Sequence, residues 1–122
     1  MRKKTCLIFL QDILDSINKI QAYIHEMTFD EFAGNSLVFD AVVRNLEIIG
    51  EAARNIPEEL KVEYSDIEWK RMIGLRNIMI HEYFGIDINI VWEIIKKNIP
   101  ATKPKLEEMM KKVDKGCQET LS

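Results

Sequence analysis

A chain of 122 residues makes one domain, residues 1–122, long enough to bury a core and short of the size that splits in two. Hydrophobic residues make up 47% and only 5 are Gly and 3 Pro, which excludes a disordered chain and points to a compact helical protein. A net charge of −3 excludes a broad electrostatic grip on nucleic acid, so any such contact must be local, modest in affinity and steeply salt-dependent.

The start, Met1-Arg2-Lys3-Lys4, is basic, but the apolar run behind it is broken at Gln11-Asp12, too short for a signal sequence or a membrane span. A cytoplasmic protein with no membrane partner is expected, and Cys6 and Cys117 fit free thiols there. The first helix is expected over residues 5–27, where Leu10, Ile13, Leu14, Ile17, Ile20, Ile24 and Met27 draw one apolar stripe and Asp12, Asp15, Lys19 and Glu26 a wet face. Thr28 with Glu31 has capping-box spacing, and Gly34-Asn35-Ser36 ends that turn and caps the next helix. Over residues 37–55, apolar side chains wrap most of the circumference, more than so small a core can bury, which implies a partner surface. Gly50 costs about 1 kcal/mol relative to Ala and makes sense where another helix crosses closely. Arg44, Glu47 and Glu51 share a face, to pair with each other or to look into a cleft.

Pro57 opens a short helix over 58–64, and Ser65 with Glu68 offers a second capping box for the helix that follows. Gly85 is expected to stop that helix, and Asp87 to cap the next. Ile88, Val91, Trp92, Ile95 and Ile99 form a stripe ended by Pro100, and a last helix from about 102 packs Leu106, Met109, Met110 and Val113. The chain reads as all-α, an antiparallel bundle of about five helices with short connections.

One stretch carries chemistry: Arg76-Asn77-Ile78-Met79-Ile80-His81-Glu82-Tyr83, inside an apolar run over 69–84 too dense for a helix with one wet face. Burying an unpaired Arg or His costs several kcal/mol, on the order of 3 or more, so each needs an assigned partner. On a helix Arg76 and Tyr83 share a face, and Asn77 and His81 stack one turn apart. Arg76 and His81, five apart, diverge by roughly 140°. A second copy of the helix would supply the missing groups, the first hint of a homodimer with a composite site.

Arg-x-x-x-x-His-x-Tyr with a polar residue after the Arg resembles the HEPN superfamily, and within it the HepT-like toxins encoded beside minimal nucleotidyltransferases. Ile49-Gly50-Glu51-Ala52-Ala53, Ile56-Pro57, Trp69, Ile73-Gly74-Leu75, Gly85-Ile86-Asp87, Val91-Trp92 and Pro100 match as well, so the resemblance covers most of the chain. It implies a homodimeric HEPN bundle and a ribonuclease toxin of a type VII-like toxin–antitoxin system. Arg76 and His81 would be catalytic and Asn77 supporting. RNA would be the substrate, and a cognate minimal nucleotidyltransferase antitoxin would attach AMP to Tyr83.

The residue types suit metal-free RNA cleavage. Imidazole exchanges protons at neutral pH, and guanidinium offers a charged planar fork to phosphate oxygens. No cofactor is expected. Neither histidine has the Glu three residues earlier that a di-iron bundle uses, since Ala22 precedes His25 and Ile78 precedes His81, and there is no zinc spacing. His25 reads as structural or solvent-facing, and the lysines at 96–97 and 111–112 as mostly a solvated face. Two alternatives stay open: a buried Arg76 that merely neutralises Glu47 or Glu51, and a non-catalytic helical adaptor that presents substrate to the nucleotidyltransferase.

Overall fold

The structure, a computed structural model, describes residues 2–81 and 85–121, and the side chains of residues 4–77 and 85–117. Among the described residues every regular element is helical: α1 Arg2–Tyr23, α2 Phe29–Ala33, α3 Ser36–Arg54, α4 Glu58–Glu63, α5 Trp69–His81, α6 Ile88–Glu93 and α7 Ile99–Leu121. A π-helical turn, Ile94–Asn98, joins α6 to α7. α3 lies between α1 and α5, and α7 covers the other side of α1. Lys103 near the start of α7 donates to Gln21 near the end of α1 at 3.1 Å, so those two helices run in opposite directions.

The core follows the apolar stripes. Leu10, Ile13, Ile17 and Ile20 of α1, Leu46 and Ile49 of α3, and Leu106 and Met109 of α7 are wholly excluded from solvent. The capping box before α2 is present, with Glu31 N–H donating to Thr28 Oγ1 at 3.2 Å and Thr28 N–H donating to Glu31 Oε1 at 3.0 Å. Asn35 Oδ1 accepts from Val38 N–H at 3.1 Å at the head of α3, and Asp87 Oδ1 from Asn89 N–H at 2.8 Å at the head of α6.

Four expectations are corrected. α1 ends at Tyr23, four residues before the expected end, because Glu26 takes φ 60° and turns the chain out of the helix. Ser65 does not cap α5, which starts at Trp69; the chain between them is held instead by Trp69 Nε1–H donating to the Tyr64 carbonyl at 3.1 Å. Pro100 does not end its helix. It cannot donate to the Lys96 carbonyl and its ring presses on that group, and the wider turn Ile94–Asn98 absorbs the conflict, with Ile99 N–H donating to Ile94 O. Finally, α3 finds burial for most of its apolar face inside this one chain: Val42, Val43, Leu46, Ile49, Ala52 and Ala53 are all buried against α1 and α5. Leu37 at its start is 82% exposed, and Val38, Phe39 and Ile48 are only partly buried.

The dense run on α5 is one-sided where its side chains are described: Trp69, Met72 and Leu75 are buried, while Lys70, Arg71 and Asn77 are exposed. The expected stop at Gly85 follows Glu82–Phe84, which lie outside the described residues. No described helix is long and apolar enough to cross a membrane.

Candidate functional site

Arg76 is placed by the packing of α5 on α3. A Cβ added at Gly50 would stand 2.6 Å from Arg76 N, 2.8 Å from Arg76 Cβ and 3.0 Å from the Met72 carbonyl oxygen. The backbones therefore meet at a distance only glycine permits, which is the close crossing Gly50 implies. The next residue, Glu51, then stands beside the Arg76 side chain, with Glu51 Oε2 2.6 Å from Arg76 Nε. Side-chain exposures of 33% and 51% make this a half-wet ion pair, contributing at most about 1 kcal/mol to stability. Its main effect is to fix where the guanidinium stands.

That guanidinium borders a cleft of about 300 Å³ between α1, α3 and α5, lined by Phe9, Asp12, Arg44, Glu47, Ile48, Glu51, Ala52, Asn55 and Arg76. Arg44 Nη1 donates to Glu47 Oε2 at 3.4 Å, so both alternatives for the charged face of α3 hold at once: a pair, and a cleft wall. Asn55 Nδ2 donates to the Glu51 carbonyl at 2.8 Å and ties down the end of α3 beneath the cleft. Three carboxylates stand against two guanidiniums. The cleft is net acidic, and both guanidiniums line it, the Arg44 side chain 70% exposed and that of Arg76 33%.

Of the sequence-derived residues, Arg76 is at the cleft and Asn77 is exposed on the next face of α5. His81 closes the described part of α5 in its backbone; its side chain and the whole of Tyr83 lie outside the described residues. His25 is solvent-facing, its side chain 78% exposed and its Nε2 3.8 Å from Glu26 Oε1. No group of three or more His, Cys, Asp or Glu that could hold a metal ion occurs among the described residues. Cys6 and Cys117 are both free, and burial pushes the Cys6 thiol up to about 11. Sequence reasoning missed Phe9, Asp12 and Asn55. Asp12 reads as one carboxylate of a wet helix face, and only the antiparallel lie of α1 on α3 brings it to the residues around Arg76.

The family model described as ribonuclease HepT-like matches residues 13–111. A "putative RNase" of Methanocaldococcus jannaschii is 42% identical over 107 residues, covering 88% of this chain and 98% of the relative. A "probable ribonuclease HepT" of Thermococcus cleftensis is 39% identical over 103 residues, covering 84% of this chain and 94% of the relative. A third relative, a "gamma-glutamylcyclotransferase and putative RNase" of M. jannaschii, is 41% identical over 114 residues, 93% of this chain; the chain spans about half, 51%, of that relative's length. No solved structure gives a significant match.

Proposed function

Since this chain belongs to the ribonuclease HepT-like family, we propose that it is a metal-independent endoribonuclease toxin that works as a homodimer. The observation that carries the reading is Arg76, fixed by the Gly50 crossing and the Glu51 pair with its guanidinium lining a cleft. Such a group is held in place to receive a phosphate.

In the proposed reaction, His81 removes the proton from a ribose 2′-hydroxyl and the 2′-oxygen attacks phosphorus. The bond from phosphorus to the 5′-oxygen breaks as that oxygen takes a proton from the His81 of the second copy. Arg76 holds the non-bridging oxygens as charge builds on them, and Asn77 orients His81. The products are a 2′,3′-cyclic phosphate and a 5′-hydroxyl. The dimer is supported by helix geometry, because Arg76 and His81 five residues apart diverge on one helix and a second α5 brings the complementary groups. A cognate minimal nucleotidyltransferase silences the enzyme by transferring AMP to Tyr83. Tyr83 follows Arg76 by seven residues in the sequence, two turns by helical spacing, and the added phosphate would compete for that guanidinium.

A single 2′-deoxy sugar at the cut site is expected to block cleavage, and cutting at the all-ribose rate would overturn the mechanism. Tyr83→Phe should cleave RNA yet escape neutralisation, and AMP labelling of that variant would move the acceptor elsewhere. One observation favours a second reading, a non-catalytic adaptor for the nucleotidyltransferase: the ion pair with Glu51 gives Arg76 a structural use of its own. Arg76→Ala separates the two, abolishing RNA cleavage in the first and leaving partner binding intact in the second.

A further inference from the structure

The cleft beside Arg76 is built differently from a phosphate site. Its three carboxylates, from Asp12, Glu47 and Glu51, outnumber the two guanidiniums of Arg44 and Arg76. Each guanidinium already lies against a carboxylate, Arg44 on Glu47 at 3.4 Å and Arg76 on Glu51 at 2.6 Å. Among the described residues no cation pairs with Asp12. A phosphate entering the cleft would meet net negative charge, so the sugar–phosphate chain is held at Arg76, whose side chain is one-third exposed.

The interior suits a different part of the same molecule. Phe9 supplies an aromatic surface, and Ile48 and Ala52 an apolar wall, which favour a flat ring. Beside the paired guanidiniums and the Asn55 amide, which already donates to the Glu51 carbonyl, the polar groups facing that ring are carboxylates, which accept hydrogen bonds and donate none. A volume of about 300 Å³ holds one nucleobase and cannot hold a helix or a folded loop. Because Arg76 is both a lining residue and the proposed phosphate holder, a nucleotide gripped there has its base within reach of the cleft.

We propose that this cleft is the subsite for the nucleobase next to the scissile phosphate, and that it selects guanine. Guanine presents two neighbouring donors, N1–H and the 2-amino group, to the two oxygens of one carboxylate. Adenine, cytosine and uracil each set an acceptor beside their Watson–Crick donor, and that acceptor would face a carboxylate oxygen across the same contact. A bidentate base contact discriminates on the order of 10- to 100-fold. The inference rests on the ribonuclease reading for its biological meaning, but its chemistry is measurable without cleavage.

The test is titration calorimetry of the full chain with GMP, IMP, AMP, CMP and UMP, for the native protein and for Phe9→Ala, Asp12→Asn and Glu47→Gln, beside cleavage of RNAs carrying each base next to the cut. GMP should bind at least tenfold more tightly than UMP. IMP, which lacks the 2-amino group, should fall below GMP, and Phe9→Ala together with at least one carboxylate variant should erase the preference while circular dichroism stays native. Asp12 is exposed, so its variant folds even where Phe9→Ala does not. Equal binding of all five nucleotides, or no binding, overturns the subsite. If RNA is then still cut, the ribonuclease reading survives that loss. Selective GMP binding by a chain confirmed free of AMP that cuts no RNA sinks the ribonuclease reading and leaves the subsite standing.

Discussion

Gly50→Ala tests the packing that places Arg76. On an isolated helix the change should stabilise, since Gly costs about 1 kcal/mol relative to Ala. Here the new Cβ would lie 2.6 Å from Arg76 N and 3.0 Å from the Met72 carbonyl oxygen, where ordinary contact starts at 3.4 Å. Both are backbone atoms and cannot swing aside. α3 and α5 must separate by on the order of 1 Å, and overpacking of this kind costs about 1–3 kcal/mol, more than the propensity gain. The same shift displaces Arg76 relative to the cleft it lines, and a displacement of about 1 Å at a reacting group can cost about 100-fold in rate. Gly74→Ala is the matched control on α5, because nothing stands within 4 Å of its added Cβ. Urea denaturation should therefore show Gly50→Ala less stable than native by about 1–2 kcal/mol and Gly74→Ala more stable by about 0.5–1. If Gly50→Ala is stabilised as much as Gly74→Ala, the close crossing and the placement of Arg76 drawn from it are wrong.

Two further outcomes follow from the same structure. Glu51→Gln removes a half-exposed partner of Arg76, so the unfolding midpoint should hardly move while RNA cleavage falls by about tenfold; an unchanged rate would mean that the pair does not position the guanidinium. A thiol reagent at pH 8 should label Cys117 alone in the folded protein, because Cys6 is wholly buried and its thiol is pushed up to about 11. That raised value also sets a sign: the stabilisation from keeping Cys6 protonated is complete below pH 9 and is lost as pH rises through 11, by about 2–3 kcal/mol, and Cys6→Ala should flatten this alkaline fall in urea titrations.

What could be read from the chain alone was mostly local. Thr28 and Glu31 sit three apart and need only each other, so their box forms as spaced. Gly50 is a longer-range signal that also held, because a glycine amid buried residues has few uses besides a close backbone approach. The bland alternative for Arg76 was legible in the same way, and its pair with Glu51 exists. The failures arise where tertiary forces outweigh local grammar. Ser65 has the right spacing for a cap, yet burial of Ile67 and Trp69 and the bond from Trp69 to the Tyr64 carbonyl start the helix later. Pro100 is a helix stop by local rules, but the burial of Ile95 and Ile99 on one stripe keeps the helix going through a widened turn. Excess apolar surface on α3 could not be apportioned without knowing that α1 and α5 flank it on both sides. The cleft was hidden for the same reason, since Phe9 and Asp12 on α1 are more than thirty residues from the other residues that line it and no periodicity links them.

The proposed roles of Arg76 and His81 in RNA cleavage are tested most directly by the fragment ends. Native protein and His81→Ala, each confirmed free of AMP by mass spectrometry, should be incubated with total RNA in EDTA and the fragment ends identified. Cleavage by the native protein alone is expected, leaving 2′,3′-cyclic phosphate ends. Equal cleavage by both proteins, or fragments ending in a 3′-hydroxyl, would contradict those roles.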